Sequence, residues 1–386
     1  IIMTQEIHVR RYDIDWLRCL AFLLLIFYHV GMYYVFDWGW HIKSAEQSVW
    51  LQDVMVWSNL WRMSLLFFIS GLVTSLVAHK LSHWAILKER SFRLLLPLIF
   101  GMFVIVAPQV YYEGLTQDLF EPGYWDFWLH YINPNSEFLS DHHGPIGLLA
   151  WNHLWFLPYL WCYSLILLAI SPWITQVLSH RLLQSINGKC ALAVLILVML
   201  GIWFHLRANY PVTHDLFNDW YSHGKYFWVF VVGFALDKFP VLWQRLIECR
   251  RGLLIVAFMC YVFIIMDRHQ MFQPLADLYT SSNGVRLFYG SIFVTNHWLW
   301  ILAIVGYAGR YLQFSNRFLK KINRAILPCY ILHQSVIIVF AANLAYWAIP
   351  AWVEAPLLIV STALCCYLGY ELINRSKVLK PLFGLK

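Results

Sequence analysis

Charged residues are scarce in this chain. Asp, Glu, Lys and Arg account for 13% of its 386 residues, whereas about a quarter of the residues in a soluble globular domain are charged. Hydrophobic residues make up 60% and aromatic residues 18%, including 21 Trp and 22 Tyr. This composition excludes an ordinary soluble domain and favours a membrane protein with aromatic belts at the lipid–water interfaces. We therefore interpret the net charge of +7 through its placement and expect no nucleic-acid partner.

The chain also lacks the motifs of several other protein classes. Its eight cysteines contain no CxxC pair, so there is no zinc or redox motif, and we expect no bound metal. We interpret these cysteines as small apolar residues. The sequence has no internal repeat, low-complexity tract or separate soluble segment. It is therefore predicted to form a single membrane domain over 1–386, with a membrane core at 15–373 and a basic cytoplasmic tail at 374–386.

Long apolar runs recur along the whole sequence. Crossing about 30 Å of hydrocarbon takes about 20 residues per helix. The first run is too long for a cleaved signal peptide, and its outer part has the bulky Met32, Tyr33 and Tyr34 where a cleavage site would have small residues. We predict an all-α polytopic bundle of about ten membrane helices, although the fifth to seventh runs are short enough to be re-entrant. The runs lie at 19–37, 54–78, 94–112, 151–175, 190–206, 226–240, 252–266, 287–308, 325–347 and 351–373.

Lys and Arg concentrate on one side of this predicted topology, as they do on the cytoplasmic side of membrane proteins. The longest segment assigned to the outside, 113–148, has six acidic residues and no Lys or Arg. That pattern suits a solvated loop or a contact with an acceptor or a partner. Both termini are therefore predicted to be cytoplasmic. The other outside segments keep Lys43, Arg207, Lys225, Arg268 and Arg286.

Arg18 and His29 lie on one face of the first predicted helix. At 100° per residue, their separation ends about 20° past three full turns and rises ~16 Å. Arg18 alone would suit an interfacial anchor and His29 alone a hydrogen-bonded structural histidine. Their shared face instead indicates a functional pair, with Arg18 near the cytoplasmic boundary. Asp15, one turn earlier, is expected to pair with Arg18 and to have an orienting role.

Arg62 lies deep in the second predicted helix, at a depth that matches His29. A charge there is costly, so it needs an anionic partner. Three partners fit the sequence: a thioester oxyanion, an acyl carboxylate or a structural acid elsewhere in the bundle. If the acyl group were succinyl, Arg62 would be the best-placed cation for its free carboxylate.

Arg90 and Arg93 open the third predicted helix on the cytoplasmic side. Two arginines three residues apart share a helix face, and a helix N-terminus adds free N–H donors, so together they favour a phosphate-rich ligand such as coenzyme A. Ordinary positive-inside anchoring explains the same spacing equally well.

Two further histidines lie within predicted helices. His153 and Trp155 are expected near the outer mouth of the fourth helix, where such a pair is often merely interfacial. His333 is expected about eight residues in from the cytoplasmic face of the ninth helix, where a lone histidine is more often structural than catalytic.

Taken in order along ten helices, these strings resemble the acyltransferase-3 family of integral-membrane O-acyltransferases. The resemblance covers nearly the whole chain, and Trp40–Ser48 together with the arginine before Met63 looks like the branch that includes the periplasmic-glucan succinyltransferases. One departure is Gln334-Ser335, because many relatives have a proline two positions after the histidine. The matching strings are Arg18/His29, Phe67–Gly71, Arg90/Arg93/Pro97, His153–Leu157, Gly233 and Tyr330–His333.

The resemblance implies a bacterial inner-membrane enzyme that uses cytoplasmic acyl-CoA as a donor substrate, with no permanently bound cofactor. It would acylate a hydroxyl of a periplasmic or cell-surface glycan with a succinyl or acetyl group, either alone, as a homo-oligomer or with a periplasmic partner. His29 would be the general base and Arg18 would hold the donor. Arg90 and Arg93 would bind coenzyme A phosphates, Arg62, His153 and Trp155 would line the acceptor route, and His333 would orient the thioester. Ser70, within the Phe67–Gly71 string, would have a structural or orienting role.

Two other classes remain open from the residues alone. A transporter or exporter could use intramembrane Arg and His along a substrate path, although the sequence shows no two-half repeat. A haem protein could use His29, His153 and His333 as axial ligands, although their estimated depths differ.

Overall fold

The computed structural model describes residues 10–144 and 146–386. It is 76% helical and, within the described residues, has no β-strand. Short 3-10 and π segments interrupt or extend several of the helices. In chain order the helices are α1 Tyr12–Tyr34, α2 Val49–Asn59, α3 Arg62–Ala78, α4 His83–Phe100, α5 Ala107–Thr116, α6 Tyr124–Tyr131, α7 Phe156–Leu178, α8 Arg181–Gln184, α9 Gly188–Leu206, α10 Trp220–Leu236, α11 Pro240–Arg268, α12 Gln273–Ala276, α13 Asn283–Tyr311, α14 Arg317–Leu344, α15 Ala351–Arg375 and α16 Leu379–Leu382.

Nine helical segments of the described chain are long and apolar enough to cross a membrane. A further helix, α10, has 17 residues and a length of ~26 Å, and it packs closely against α3. An odd number of passes would put the two chain ends on opposite sides. Arg10 and Lys386 instead line the same cavity, so α10 is counted as a pass and the prediction of about ten helices is confirmed.

The contact between α3 and α10 depends on two glycines. A Cβ atom on Gly71 would lie 1.9 Å from the carbonyl oxygen of Phe230, and one on Gly233 would lie 2.1 Å from that of Phe68. Backbones can approach this closely only where both helices lack a side chain, which is a common way to pack helices in lipid. The glycines of two of the predicted strings thus hold α3 against α10.

Several helices are broken inside the bundle. Leu60 and Trp61 separate α2 from α3, and a π segment, Gly101–Ile105, joins α4 to α5. A 3-10 turn, Asn152–Trp155, precedes α7, and Pro328 lies within α14. Irregular backbone at membrane depth is tolerated where protein or a cavity surrounds it, so these breaks indicate where a site lies.

The segment predicted as a basic cytoplasmic tail, 374–386, is packed onto the bundle. Phe383 is 4% exposed and lies against Phe100 with ring centroids 5.4 Å apart. Lys386 Nζ lies 3.1 Å from Glu89 Oε1 on α4. Gly384 has a φ of +69°, a conformation that L side chains rarely adopt. The segment therefore forms part of the wall at the end where both termini meet.

The acid-rich segment 113–148 is folded over the opposite end. Its short helix α6 buries Phe127 and Tyr131, and the Tyr131 hydroxyl donates a hydrogen bond to the Met102 carbonyl at 2.8 Å. This contact ties the segment to the π break between α4 and α5.

We predict that Gly233→Ala destabilises the protein by about 1–3 kcal/mol, the usual cost of overpacking, because the new methyl group would force α10 away from α3. Thermal unfolding of the purified protein in detergent measures the effect. Gly201→Ala is the matched control, since a Cβ at Gly201 in α9 has no atom within 4 Å. Equal unfolding temperatures for both variants would contradict this account of the contact.

Candidate functional site

Three cavities follow one another from end to end of the bundle. At the end of the bundle where α1 begins and α16 ends is a basic cavity of about 570 Å³, lined by the cations Arg10, Arg18, Arg93, Lys320, Arg324 and Lys386. An apolar cavity of about 370 Å³ lies next to it, and a cavity of about 730 Å³ opens at the other end. We call the last one the histidine cavity because its lining includes His29, His153, His214 and His297.

The cavities share lining residues, so they adjoin. Arg18 and Arg93 line both the basic and the apolar cavity. Leu25 and Tyr330 line both the apolar cavity and the histidine cavity. Arg18 and His29 therefore lie on successive cavities of one path, as their common helix face predicts.

His29 and His333 are in direct contact. The Nδ1 atom of His29 lies 3.0 Å from the Leu25 carbonyl oxygen and 3.1 Å from Nε2 of His333. A carbonyl oxygen only accepts, so Nδ1 of His29 carries the proton. His333 likewise donates from Nδ1 to the Tyr330 carbonyl at 2.7 Å. The Nε2 atom of His29 is therefore left as a lone-pair acceptor, with no hydrogen-bond partner among the described residues.

His153 is held by a fully hydrogen-bonded glutamine. Its Nε2 donates to the Ile331 carbonyl at 3.0 Å, and its Nδ1 accepts from the Gln109 amide at 3.1 Å. Gln109 is completely buried and also donates to Ser335 at 2.7 Å. Gln334 donates to the Gln109 oxygen at 3.0 Å. The departure noted at Gln334-Ser335 thus provides two partners of this network.

The expectation that His29, His153 and His333 lie at different depths was wrong. The His333 ring centroid lies 5.0 Å from that of His29 and 5.2 Å from that of His153. Helix α14 begins at Arg317, eight residues before the predicted run, which places His333 near the middle of its helix. His153 lies in the 3-10 turn that enters the bundle before α7. Because both ring nitrogens of His153 are hydrogen-bonded, neither is free to be an axial ligand of a haem.

Arg62 has no acidic partner in the described chain. Its guanidinium stacks over the Tyr28 ring at 3.1 Å and donates to Asn59 at 3.0 Å. No ion pair of the described residues includes it, so the structural acid considered above is absent there. Arg62 is 9% exposed and lines the histidine cavity. It can therefore bind an anion that enters this cavity.

The expected Asp15–Arg18 pair is replaced by other contacts. Asp15 forms an ion pair with Arg10 at 2.8 Å and accepts a hydrogen bond from Asn323 at 2.6 Å. Arg18 forms no ion pair among the described residues. It remains available to a ligand at the junction of the basic and apolar cavities.

Arg90 and Arg93 share a helix face, but their side chains line different sets of cavities. Arg90 donates to the hydroxyls of Ser164 and Thr74, the latter at 2.6 Å. It lines the apolar cavity and not the basic one. Arg93 lies on both, 3.8 Å from Glu89. Two hydroxyl groups therefore engage the Arg90 guanidinium, and Arg93 is the one of the two arginines that reaches the basic cavity; phosphate binding by either stays a prediction.

Ser70 and Trp155 both line cavities of this path. Ser70 lines the apolar cavity, and its carbonyl accepts from the Thr74 hydroxyl that binds Arg90. Trp155 lines the histidine cavity and stacks on His214 with centroids 4.1 Å apart. Burial lowers the pKa of His214 to about 4, so this imidazole is neutral at neutral pH.

Sequence reasoning missed several residues of the histidine cavity. Lys225 and Arg207 were counted as outside cations and not as parts of a site. Gln109 gave no signal beyond being an amide in an apolar run. His297 donates from Nδ1 to the Leu60 carbonyl at 2.8 Å, at the break between α2 and α3, and a contact so distant along the chain has no local pattern.

Comparisons with known proteins show the family of this chain. Residues 11–371 match the model of the acyltransferase-3 family, described as an acyltransferase domain. Glucans biosynthesis protein C of Escherichia coli strain K12 is 23% identical over 397 residues, covering 98% of this chain and 95% of the relative. The protein of the same name from Escherichia coli O9:H4 strain HS has the same identity and coverage. No solved structure matches significantly. The chain therefore belongs to the acyltransferase-3 family and is a multi-pass membrane O-acyltransferase.

Proposed function

We propose that this enzyme moves an acyl group from cytoplasmic acyl-CoA to a hydroxyl of a periplasmic or cell-surface glycan. The observation that supports this most strongly is the path of three adjoining cavities, with cations at one end and a free imidazole nitrogen towards the other. A donor and an acceptor entering from opposite sides would meet along it. The glycan acceptor is further supported by the relatives, whose printed name refers to glucan biosynthesis.

The basic cavity suits the nucleotide end of coenzyme A. Six cations line it, and Glu89 is the one acid in its lining, so its charge complements phosphate groups. Lys and Arg are concentrated on this side in the sequence, which favours a cytoplasmic location. Arg18 and Arg93 would contact the donor where its phosphates give way to the pantetheine arm, and the arm and acyl chain would follow the apolar cavity.

His29 is positioned to act as a general base. Its Nδ1–H is directed at Leu25 and His333, so Nε2 can take the proton of the acceptor hydroxyl. The hydroxyl oxygen then bonds to the thioester carbonyl carbon, and the C–S bond breaks. The proton on His29 passes to the leaving thiolate, which gives an ester and free coenzyme A. In this scheme His333 positions His29, a role that replaces the expected orientation of the thioester.

We predict that His29→Ala lowers kcat by about 10²–10⁴-fold, the usual contribution of a general base, in a protein that still folds. Release of coenzyme A from labelled acyl-CoA by the purified enzyme measures the loss. His205→Ala, at an exposed position in α9, is the control and should keep full activity. His333→Asn should cost less, about tenfold, because the Leu25 carbonyl still holds Nδ1–H. Unchanged turnover in His29→Ala would remove the central assignment.

We predict that Arg93→Gln raises the KM for acyl-CoA about tenfold, as expected on losing one charge-assisted hydrogen bond. An acyl-pantetheine donor, which has no nucleotide phosphates, should show the same KM with both proteins. The comparison requires steady-state kinetics with the two donors, with Arg181→Gln at an exposed position as the control. An equal rise in KM for both donors would show that Arg93 does not bind the phosphates.

A further inference from the structure

The lining of the histidine cavity contains several cationic side chains and no acidic ones among the described residues. Arg62, Lys225 and Arg207 line it, and its described lining contains no Asp or Glu. No ion pair of the described chain includes any of the three. Unpaired like charges in a partly desolvated cavity are costly unless an anion joins them.

Asp219, an acid six residues before Lys225 in the sequence, is already occupied. Asp219, at the start of α10, is completely buried and accepts from the Tyr159 hydroxyl at 3.1 Å and from the His214 backbone N–H at 3.0 Å. It also caps α10 through the Ser222 N–H. Its carboxylate is therefore used to hold the backbone, and it leaves Lys225 without an ion-pair partner.

The cations themselves are held by aromatic rings. Lys225 lies 4.9 Å from the Tyr226 ring centroid, and Arg207 lies 5.7 Å from that of Trp203. Arg62 stacks on Tyr28. A ring face orients a cation but leaves its hydrogen-bond donors free.

We propose that Arg62, Lys225 and Arg207 form a binding site for an oxyanion group, a carboxylate or a phosphate, carried by one of the two substrates. This inference rests on the proposed function. The group could belong to the acyl chain, as the free carboxylate of a dicarboxylic acyl donor, or to the acceptor glycan as a charged substituent. In either case the site fixes one substrate relative to His29, and Lys225 becomes a specificity-determining residue.

Direct binding tests the site independently of catalysis. Succinate and glycerol phosphate are the anionic probes, glycerol is the neutral one, and thermal unfolding in nanodiscs is the readout, because a ligand that binds the folded state raises Tm. At least one anion should raise Tm in the wild type and in Lys225→Arg, but not in Lys225→Gln. The matched control is Lys238→Gln, whose ammonium lies 5.6 Å from the Phe234 ring at the other end of α10. The proposal is overturned if no anion stabilises the wild type or if Lys225→Gln responds as the wild type does.

Kinetics then identify which substrate carries the anion. Wild type, Lys225→Gln and Lys238→Gln are compared with succinyl-CoA and acetyl-CoA, each with a neutral glucan oligosaccharide and with the same glucan bearing a carboxylate. We expect kcat/KM of Lys225→Gln to fall about 10- to 100-fold with the anionic donor or the anionic acceptor, and to stay unchanged with their neutral counterparts. An equal loss with all four combinations would sink the proposal. If the wild type binds the anions but transfers no acyl group, the proposed function fails while the anion site stands.

Discussion

The hydrogen bond between His29 and His333 is the contact on which the rest of the site depends. It joins α1 to α14 at the point where the histidine cavity meets the apolar one. The Leu25 carbonyl keeps the proton on Nδ1 of His29, and the His333 nitrogen accepts from the same N–H. With the proton on Nδ1, the Nε2 atom has a lone pair and can act as a base. The contact between the two helices thus reinforces the tautomer and fixes the orientation of the reactive ring.

The polar groups around this contact differ in how many hydrogen-bond and ion-pair partners they have. Gln109 uses both of its amide hydrogens and its oxygen to hold His153, Ser335 and Gln334. Arg90 is held by two hydroxyls. Arg18 and Arg62, by contrast, line cavities and have no carboxylate partner in the described chain. In a medium where an unpaired charge is expensive, the structure satisfies the groups that support the site and leaves cations without acidic partners on the cavities where the proposed substrates would supply the anions.

The sequence predicts the bundle and part of the site, for a physical reason. Apolar runs and helical phase are local properties, so the spans and the common face of Arg18 and His29 follow from them. The proximity of His29, His153 and His333 and the hydroxyl partners of Arg90 were missed, because they depend on features that a hydropathy run averages over. The ends of α14 and the 3-10 turn before α7 set the depth of His333 and His153. The hydroxyls that accept hydrogen bonds from Arg90 are on α3 and α7, so at least one of them is distant from Arg90 in the sequence.

The form of the cavities also bears on the choice between an enzyme and an exporter. An exporter must pass its whole substrate through the bundle, and a glycan is wide and hydrated. Here Leu25 and Tyr330, the residues that the apolar and histidine cavities share, are both largely buried, and the Tyr330 hydroxyl is tied to the His153 carbonyl. A junction lined by these buried side chains suits the thioester arm of the proposed donor, with the bulky acceptor remaining on the other side. These residues therefore favour acyl transfer over passage of a whole glycan, and the family to which the chain belongs is one of acyltransferases.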